Sequence, residues 1–104
     1  MKEITVDELQ SMIDENVEFQ LIDVREPFEY EVSNLNGVNI PLAGISIESD
    51  KIAKDIPVVV HCRSGKRSAQ AIMLLEQEGF TNLSNLKGGI LAWKEEIDPE
   101  MDVY

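Results

Sequence analysis

The run Pro57-Val58-Val59-Val60-His61 constrains this chain more than any other stretch. Three successive valines favour extended backbone, because branching at Cβ crowds a helix but suits a pleated sheet. An apolar run without polar alternation predicts a strand covered on both faces, as in a parallel sheet. Parallel neighbours need long crossover connections, usually helical, and the flanking segments offer them. Thr5-Val6-Asp7-Glu8 reads as a capping box, followed by Val6, Leu9, Met12 and Ile13 at helical spacing. Phe19 to Val24 reads as another buried strand, and Pro27 opens a short helix through Phe28, Glu29 and Tyr30. Asn36-Gly37 turns the chain into a short strand at Val38 to Ile40, halted by Pro41. Leu42 to Ile56 reads as loop and short helix. The apolar positions Ala69, Ala71, Ile72, Leu74 and Leu75 predict a helix from Ser68 to Glu78, with Gly79 as its C-cap. Phe80 to Leu86 returns as a strand, and Gly88-Gly89 precedes a last helix containing Ile90, Leu91 and Trp93. Strands alternating with helices predict an α/β domain with a mostly parallel sheet. That domain spans residues 1–98, and residues 99–104 read as a short, loose acidic tail.

Composition narrows the partners. With 104 residues there is room for one modest core. An apolar fraction of 43% beside 28% charged residues is that of a globular protein. No apolar run approaches the ~20 residues a bilayer requires, and the N-terminus lacks a signal pattern, so a cytoplasmic location is expected. The net charge of −11 repels nucleic acid and anionic membranes, and neither is expected as a partner. One cysteine and one histidine exclude an internal disulfide and argue against a metal site. No cofactor is expected.

Cys62 stands where the valine strand ends and the next helix begins. In open parallel sheets this carboxyl edge is where ligands bind and where helix N-termini point. Three of the nine cationic residues, Arg63, Lys66 and Arg67, fall within the six residues starting at Cys62, so the rest of the chain is more acidic still. A lone cysteine is ordinarily a small buried hydrophobe. Cations at a helix start, however, oppose the dipole by ~0.3–1 kcal/mol each, a poor choice for structural filler. Gly65 allows the loop backbone to curl into an anion-binding nest. Nest, dipole and cations all favour thiolate over thiol, which makes Cys62 a candidate nucleophile. Arg63, Ser64, Gly65, Lys66 and Arg67 are the candidate anion-binding residues, and Ser68 begins the helix behind them.

At these residues the chain resembles the rhodanese-like (thiosulfate sulfurtransferase) family in single-domain form. The resemblance is carried by Asp23-Val24-Arg25-Glu26-Pro27 with Glu29-Tyr30, and by Gly37 through Pro41-Leu42. It continues through Val60 to Ser68 and ends with Leu86-Lys87-Gly88-Gly89-Ile90 and Trp93. It implies a five-stranded sheet flanked by helices on both faces, and a persulfide on Cys62 cradled by residues 63–67. In that scheme Cys62 takes the outer sulfur of a small anionic donor such as thiosulfate and passes it to a thiophilic acceptor: cyanide, a thiol or a protein. The family's common Gly-His-Ile is replaced here by Ser33-Asn34-Leu35-Asn36 before Gly37. The segment from Asp23 to Leu42 is more similar to rhodanese domains fused to ubiquitin-like-protein activating enzymes, which hints at a protein acceptor.

Around the nucleophile, the resemblance implies that Asp23, Arg25 and Glu29 form a charged scaffold beneath or beside the loop, either as structural ion pairs or in contact with substrate. Arg63 and Lys66 are the candidates for holding the donor's oxyanion. Arg67 and Ser68 serve equally to brace the helix start. His61 is expected to be structural, because neighbouring strand side chains point to opposite faces. Trp93 is expected in the core. Three other activities compete. A phosphatase or arsenate reductase also uses a Cys-to-Arg loop, but the six residues from Cys62 to Arg67 suit sulfur, whereas rhodanese-like phosphatases carry one more. A non-catalytic module often lacks the cysteine or the cations, and both are present here. A relay between proteins needs the same loop.

Overall fold

In the computed structural model, which describes residues 1–104, the chain opens with a two-residue strand, β1 (Glu3–Ile4). Sequence analysis does not anticipate it, because two residues are too few to show alternation. Thr5 caps α1 (Val6–Asp14) with the expected reciprocal box: Glu8 N–H donates to Thr5 Oγ1 (3.1 Å), and Thr5 N–H donates to Glu8 Oε1 (3.0 Å). There follow β2 (Gln20–Asp23), α2 (Pro27–Val32) and β3 (Val38–Asn39). The stretch left as loop and short helix holds two 3₁₀ turns, Leu42–Gly44 and Ser49–Lys51. The chain then builds β4 (Val58–His61), α3 (Lys66–Gln77), β5 (Leu83–Leu86) and α4 (Gly89–Glu96). Helix α3 starts two residues before the expected Ser68, because Gly65, at φ +111°, turns the backbone straight into it.

The five strands form one sheet in the order β1-β5-β4-β2-β3, and every pairing is parallel. The valine strand lies at the centre, with Val58, Val59 and Val60 beside Gln20, Leu21 and Ile22 of β2. Successive side chains enter opposite cores. Val58 and Val60 join Ile22, Ala71, Ile72 and Leu75, under α3. Val59 joins Leu21, Val6 and Leu9 on the α1 and α4 side, where Trp93 packs at the margin, half-buried. Helices therefore cover both faces, as expected. No helix is long and apolar enough to cross a membrane.

The final segment, read as a loose tail, is held down. Lys94 Nζ bonds the carbonyl of Pro99 (3.1 Å) and that of Met101, and Ser33 Oγ donates to the carbonyl of Asp102. The Tyr104 ring meets Phe28 edge-on with centroids 4.7 Å apart. Phe28 of α2 and Ser33 just after it lie far back in the chain, so no local pattern announces these two contacts.

Candidate active site

Cys62 follows β4 directly and is fully buried. Strand alternation puts it on the α3 side, and the loop after it folds back over the sulfur: Gly65 N–H donates to Cys62 Sγ at 3.0 Å, and Ser68 Oγ lies 3.4 Å away. Burial pushes the Cys62 thiol up, but the Ser68 hydroxyl and the backbone N–H groups of Ser68, Gly65 and Ser64 outweigh it. The net direction is down from the ordinary thiol value, which favours the nucleophilic thiolate.

The loop keeps this shape because its carbonyls are claimed from outside. Ile90 N–H donates to the Cys62 carbonyl (3.0 Å) and Leu91 N–H to that of Arg63 (3.1 Å). Both donors are first-turn N–H groups of α4, which no helix can satisfy internally. With the carbonyls facing α4, the loop's own N–H groups turn toward the sulfur. The approach is close enough to require glycine: a Cβ on Gly89, at φ +62°, would lie 2.5 Å from the Arg63 carbonyl oxygen.

The three loop cations do not act as one patch. Arg67 is engaged by Glu29 of α2, with Nη1–Oε1 at 2.7 Å and Nη2–Oε2 at 3.0 Å. These bonds hold the Glu29 carboxyl below its usual range, against the opposing effect of burial. Arg67, one of the candidate anion ligands, thus ties α2 to the start of α3. Arg63 donates from Nε to the Tyr104 carbonyl at 2.8 Å. Lys66 is exposed and makes no hydrogen bond or ion pair. Ser64 is exposed on the loop, and Ser68 is buried behind it.

Asp23 and Arg25 lie at the same sheet edge but do not reach the sulfur. Arg25 is fully buried, and its guanidinium grips the Asp23 carboxylate (2.8–3.2 Å) and the carbonyls of Ser33 (2.8 Å) and Glu29 (3.5 Å). A buried charge pair is tolerable only when its remaining donors are used in this way. His61 occupies the opposite face from Cys62, as expected, with Nε2 3.6 Å from Asp23 Oδ2 and Nδ1 3.3 Å from the Cys62 carbonyl. Burial pushes its pKa down, so the ring is neutral near pH 7 despite the nearby Asp23 carboxylate. Nowhere do three His, Cys, Asp or Glu side chains gather to hold a metal.

Asn85 of β5 also lies against the loop, beyond the residues expected from the sequence. It is buried at 4% exposure between Ser68, whose Oγ donates to its Oδ1 at 2.6 Å, and Gly65, whose carbonyl accepts from its Nδ2 at 3.1 Å. A polar pair, Ser84-Asn85, inside an otherwise apolar strand beside Gly88-Gly89 was the available signal.

The chain resembles known proteins in sequence and fold. The family model described as "Rhodanese-like domain" matches residues 5–96. A sulfurtransferase from Allochromatium vinosum is 36% identical over 94 residues, covering 89% of this chain and 88% of that protein. A probable adenylyltransferase/sulfurtransferase, MoeZ, from Mycobacterium tuberculosis is 33% identical over 104 residues. That match covers 97% of this chain but only 26% of the relative's length, about a quarter of it. Among solved structures, the rhodanese-like domain protein from Staphylococcus aureus superposes with a TM-score of 0.85 at 30% identity, covering 100% of this chain and 99% of that one. With the family model matching from α1 to the end of α4, and the A. vinosum sulfurtransferase aligned over 88% of its own length, this chain belongs to the rhodanese-like domain family.

Proposed function

We propose that this chain transfers sulfane sulfur through a persulfide on Cys62, with a small anionic sulfur donor, thiosulfate or a persulfide, as its source. The observation that carries the reading is the sulfur-sized cradle: Gly65 N–H at 3.0 Å and Ser68 Oγ at 3.4 Å on one buried sulfur. In the first step the Cys62 thiolate attacks the outer sulfur of thiosulfate. A new S–S bond forms, the donor's S–S bond breaks, and sulfite leaves with the bonding electron pair. In the second step a thiophile such as cyanide attacks the terminal sulfur, leaves as thiocyanate, and returns Cys62 as thiolate. Lys66, free at the loop surface, and the unbonded Nη groups of Arg63 hold the donor's oxyanion. Ser64 and Gly65 line the cradle, and Arg67 supports it through Glu29. Asp23 and Arg25 hold the underlying strand end and α2. Because Cys62 is fully covered, the loop parts to admit the donor and closes again to keep water from the persulfide.

A second reading, relay of the sulfur to a protein acceptor, is supported by the likeness to the M. tuberculosis adenylyltransferase/sulfurtransferase. The phosphatase reading is disfavoured by the six-residue loop, which is one short of the form that fits a tetrahedral phosphate. A free thiol suits a reducing compartment, and we place the protein in the cytoplasm.

The test is intact mass after incubating the reduced protein with thiosulfate. The expected result is a gain of one sulfur atom, removed by cyanide and absent from Cys62→Ser. Absence of an adduct with every sulfane donor, together with turnover of an aryl phosphate, would overturn the reading.

A further inference from the structure

Asn85 sits on the central part of the sheet, beneath the loop, where an unpaired amide would be costly. Its two ends are bonded to two different parts of the loop. Nδ2 donates to the Gly65 carbonyl (3.1 Å), and Oδ1 accepts from Ser68 Oγ (2.6 Å). Only one orientation of the amide works, since the reverse would set two oxygens against each other at Gly65. Gly65 and Ser68 also hydrogen-bond Cys62 Sγ.

We propose that Asn85 is a positioning residue for the Cys62 reaction: its Nδ2 holds the Gly65 carbonyl so that the Gly65 N–H stays on the sulfur, and its Oδ1 holds the Ser68 hydroxyl beside the sulfur while Cys62 is a thiol. This rests on Cys62 acting as a thiolate nucleophile, as proposed above. Ser68 has one proton and two neighbours to share it with. While Cys62 is a thiol, the proton lies toward Asn85, and Oγ accepts from S–H. When the sulfur is an anion, the O–H turns to it and gives up its bond to Asn85 Oδ1, and Asn85 then holds the cradle through Nδ2 on the Gly65 carbonyl. Released from Asn85, a serine in the first turn of a helix has the carbonyl of a residue four back as an alternative partner. Gly65, at φ +111°, loses the bond that keeps its N–H on the sulfur.

No other group near the thiol duplicates this role. On α3, Arg67 is engaged by Glu29 of α2, and Lys66 points to solvent. In the loop, Arg63 turns to Tyr104. At the ends of β2 and β4, Asp23, Arg25 and His61 bond one another and the backbone. None of them hydrogen-bonds the sulfur.

The experiment uses the single cysteine. The rate of alkylation by iodoacetamide is measured against pH for wild type, Asn85→Leu, Asn85→Ser, Ser68→Ala and Asn85→Leu/Ser68→Ala, with thermal unfolding as the check on folding. Asn85→Leu and Asn85→Ser are expected to raise the thiol pKa by about one unit, slowing alkylation at neutral pH about tenfold. Ser68→Ala should raise it less, and the double variant should exceed either single one, because Asn85 acts through the Gly65 N–H and Ser68 through its own hydroxyl. An unchanged pKa with lowered thermal stability would reduce Asn85 to a structural residue, and a lowered pKa would mean that it draws the hydroxyl away from the sulfur. Either overturns the proposal. If neither Asn85 variant folds, nuclear magnetic resonance of wild type decides: the Asn85 side-chain amide signals must titrate with the Cys62 midpoint, and flat signals refute the coupling. Alkylation needs no sulfur donor, so a wild type that fails to take sulfur from thiosulfate sinks the proposed function without touching this result.

Discussion

At the scale of single residues, the site separates charges that support from charges that remain free. Arg25 and Arg67 are both cations near the loop, yet each is committed to a carboxylate, Asp23 and Glu29 respectively. Removing one partner of a buried pair leaves the other unsolvated. Arg25→Ala is therefore expected to lower stability by about 3–5 kcal/mol, because Asp23 and two carbonyls of the α2 region lose their donor together. Denaturant unfolding measures this, and a loss under about 1 kcal/mol would show that water replaces the guanidinium. The likeness of the segment Asp23 to Glu29 to the family pattern made a charged scaffold legible. Its pairing was not, since a carboxylate and a guanidinium pair in the same way in a scaffold or a binding site.

Between elements, the decisive contact is α4 against the loop. Two N–H groups that α4 must leave open find the carbonyls of Cys62 and Arg63, and Gly89 lets them come that near. Gly89→Ala is expected to fail in two ways. Its Cβ would lie 2.5 Å from the Arg63 carbonyl oxygen, and alanine resists φ +62°. The expected cost is on the order of 1–3 kcal/mol in unfolding. With the loop displaced, sulfur loading from thiosulfate should slow by at least about tenfold, since Gly65 N–H no longer reaches Sγ. A variant that loads sulfur at the wild-type rate would show that the loop holds its shape without α4. The Gly88-Gly89 pair stood out in the sequence, but its partner lies some 26 residues earlier in the chain, at Arg63, and only the packed sheet brings them together.

For the whole molecule, a small cationic loop sits on a body of net charge −11. With Arg67 neutralised by Glu29 and Arg63 partly engaged by the Tyr104 carbonyl, the loop's reach is shorter than three free cations would have. An anionic donor is thus repelled at long range and attracted only close in. Raising the ionic strength shortens the Debye length from ~30 Å at 0.01 M to ~8 Å at 0.15 M, which weakens the distant repulsion most. Sulfur loading at subsaturating thiosulfate should accelerate over that range. A rate that falls with salt would show that the loop's attraction governs approach from afar.

What the sequence determined by itself follows from local chemistry and short periodicity. Three valines in a row made a doubly covered strand, Thr5 and Glu8 capped a helix, and a cysteine between strand and helix with glycine and cations after it marked the candidate site. None of these depends on a distant partner. The tertiary structure decided whatever depends on residues far apart in the chain. It joined β1 to the sheet, fastened residues 99–104 across α2 and α4, paired Arg67 with Glu29, and set Asn85 beneath the loop. The physical reason is that hydrogen bonds and ion pairs are satisfied by proximity alone. In a parallel sheet, proximity is set by the crossovers: β5 lies beside β4, so Asn85 reaches a loop it does not adjoin in the chain, and Cys62 acquires its hydrogen-bond donors in fixed positions.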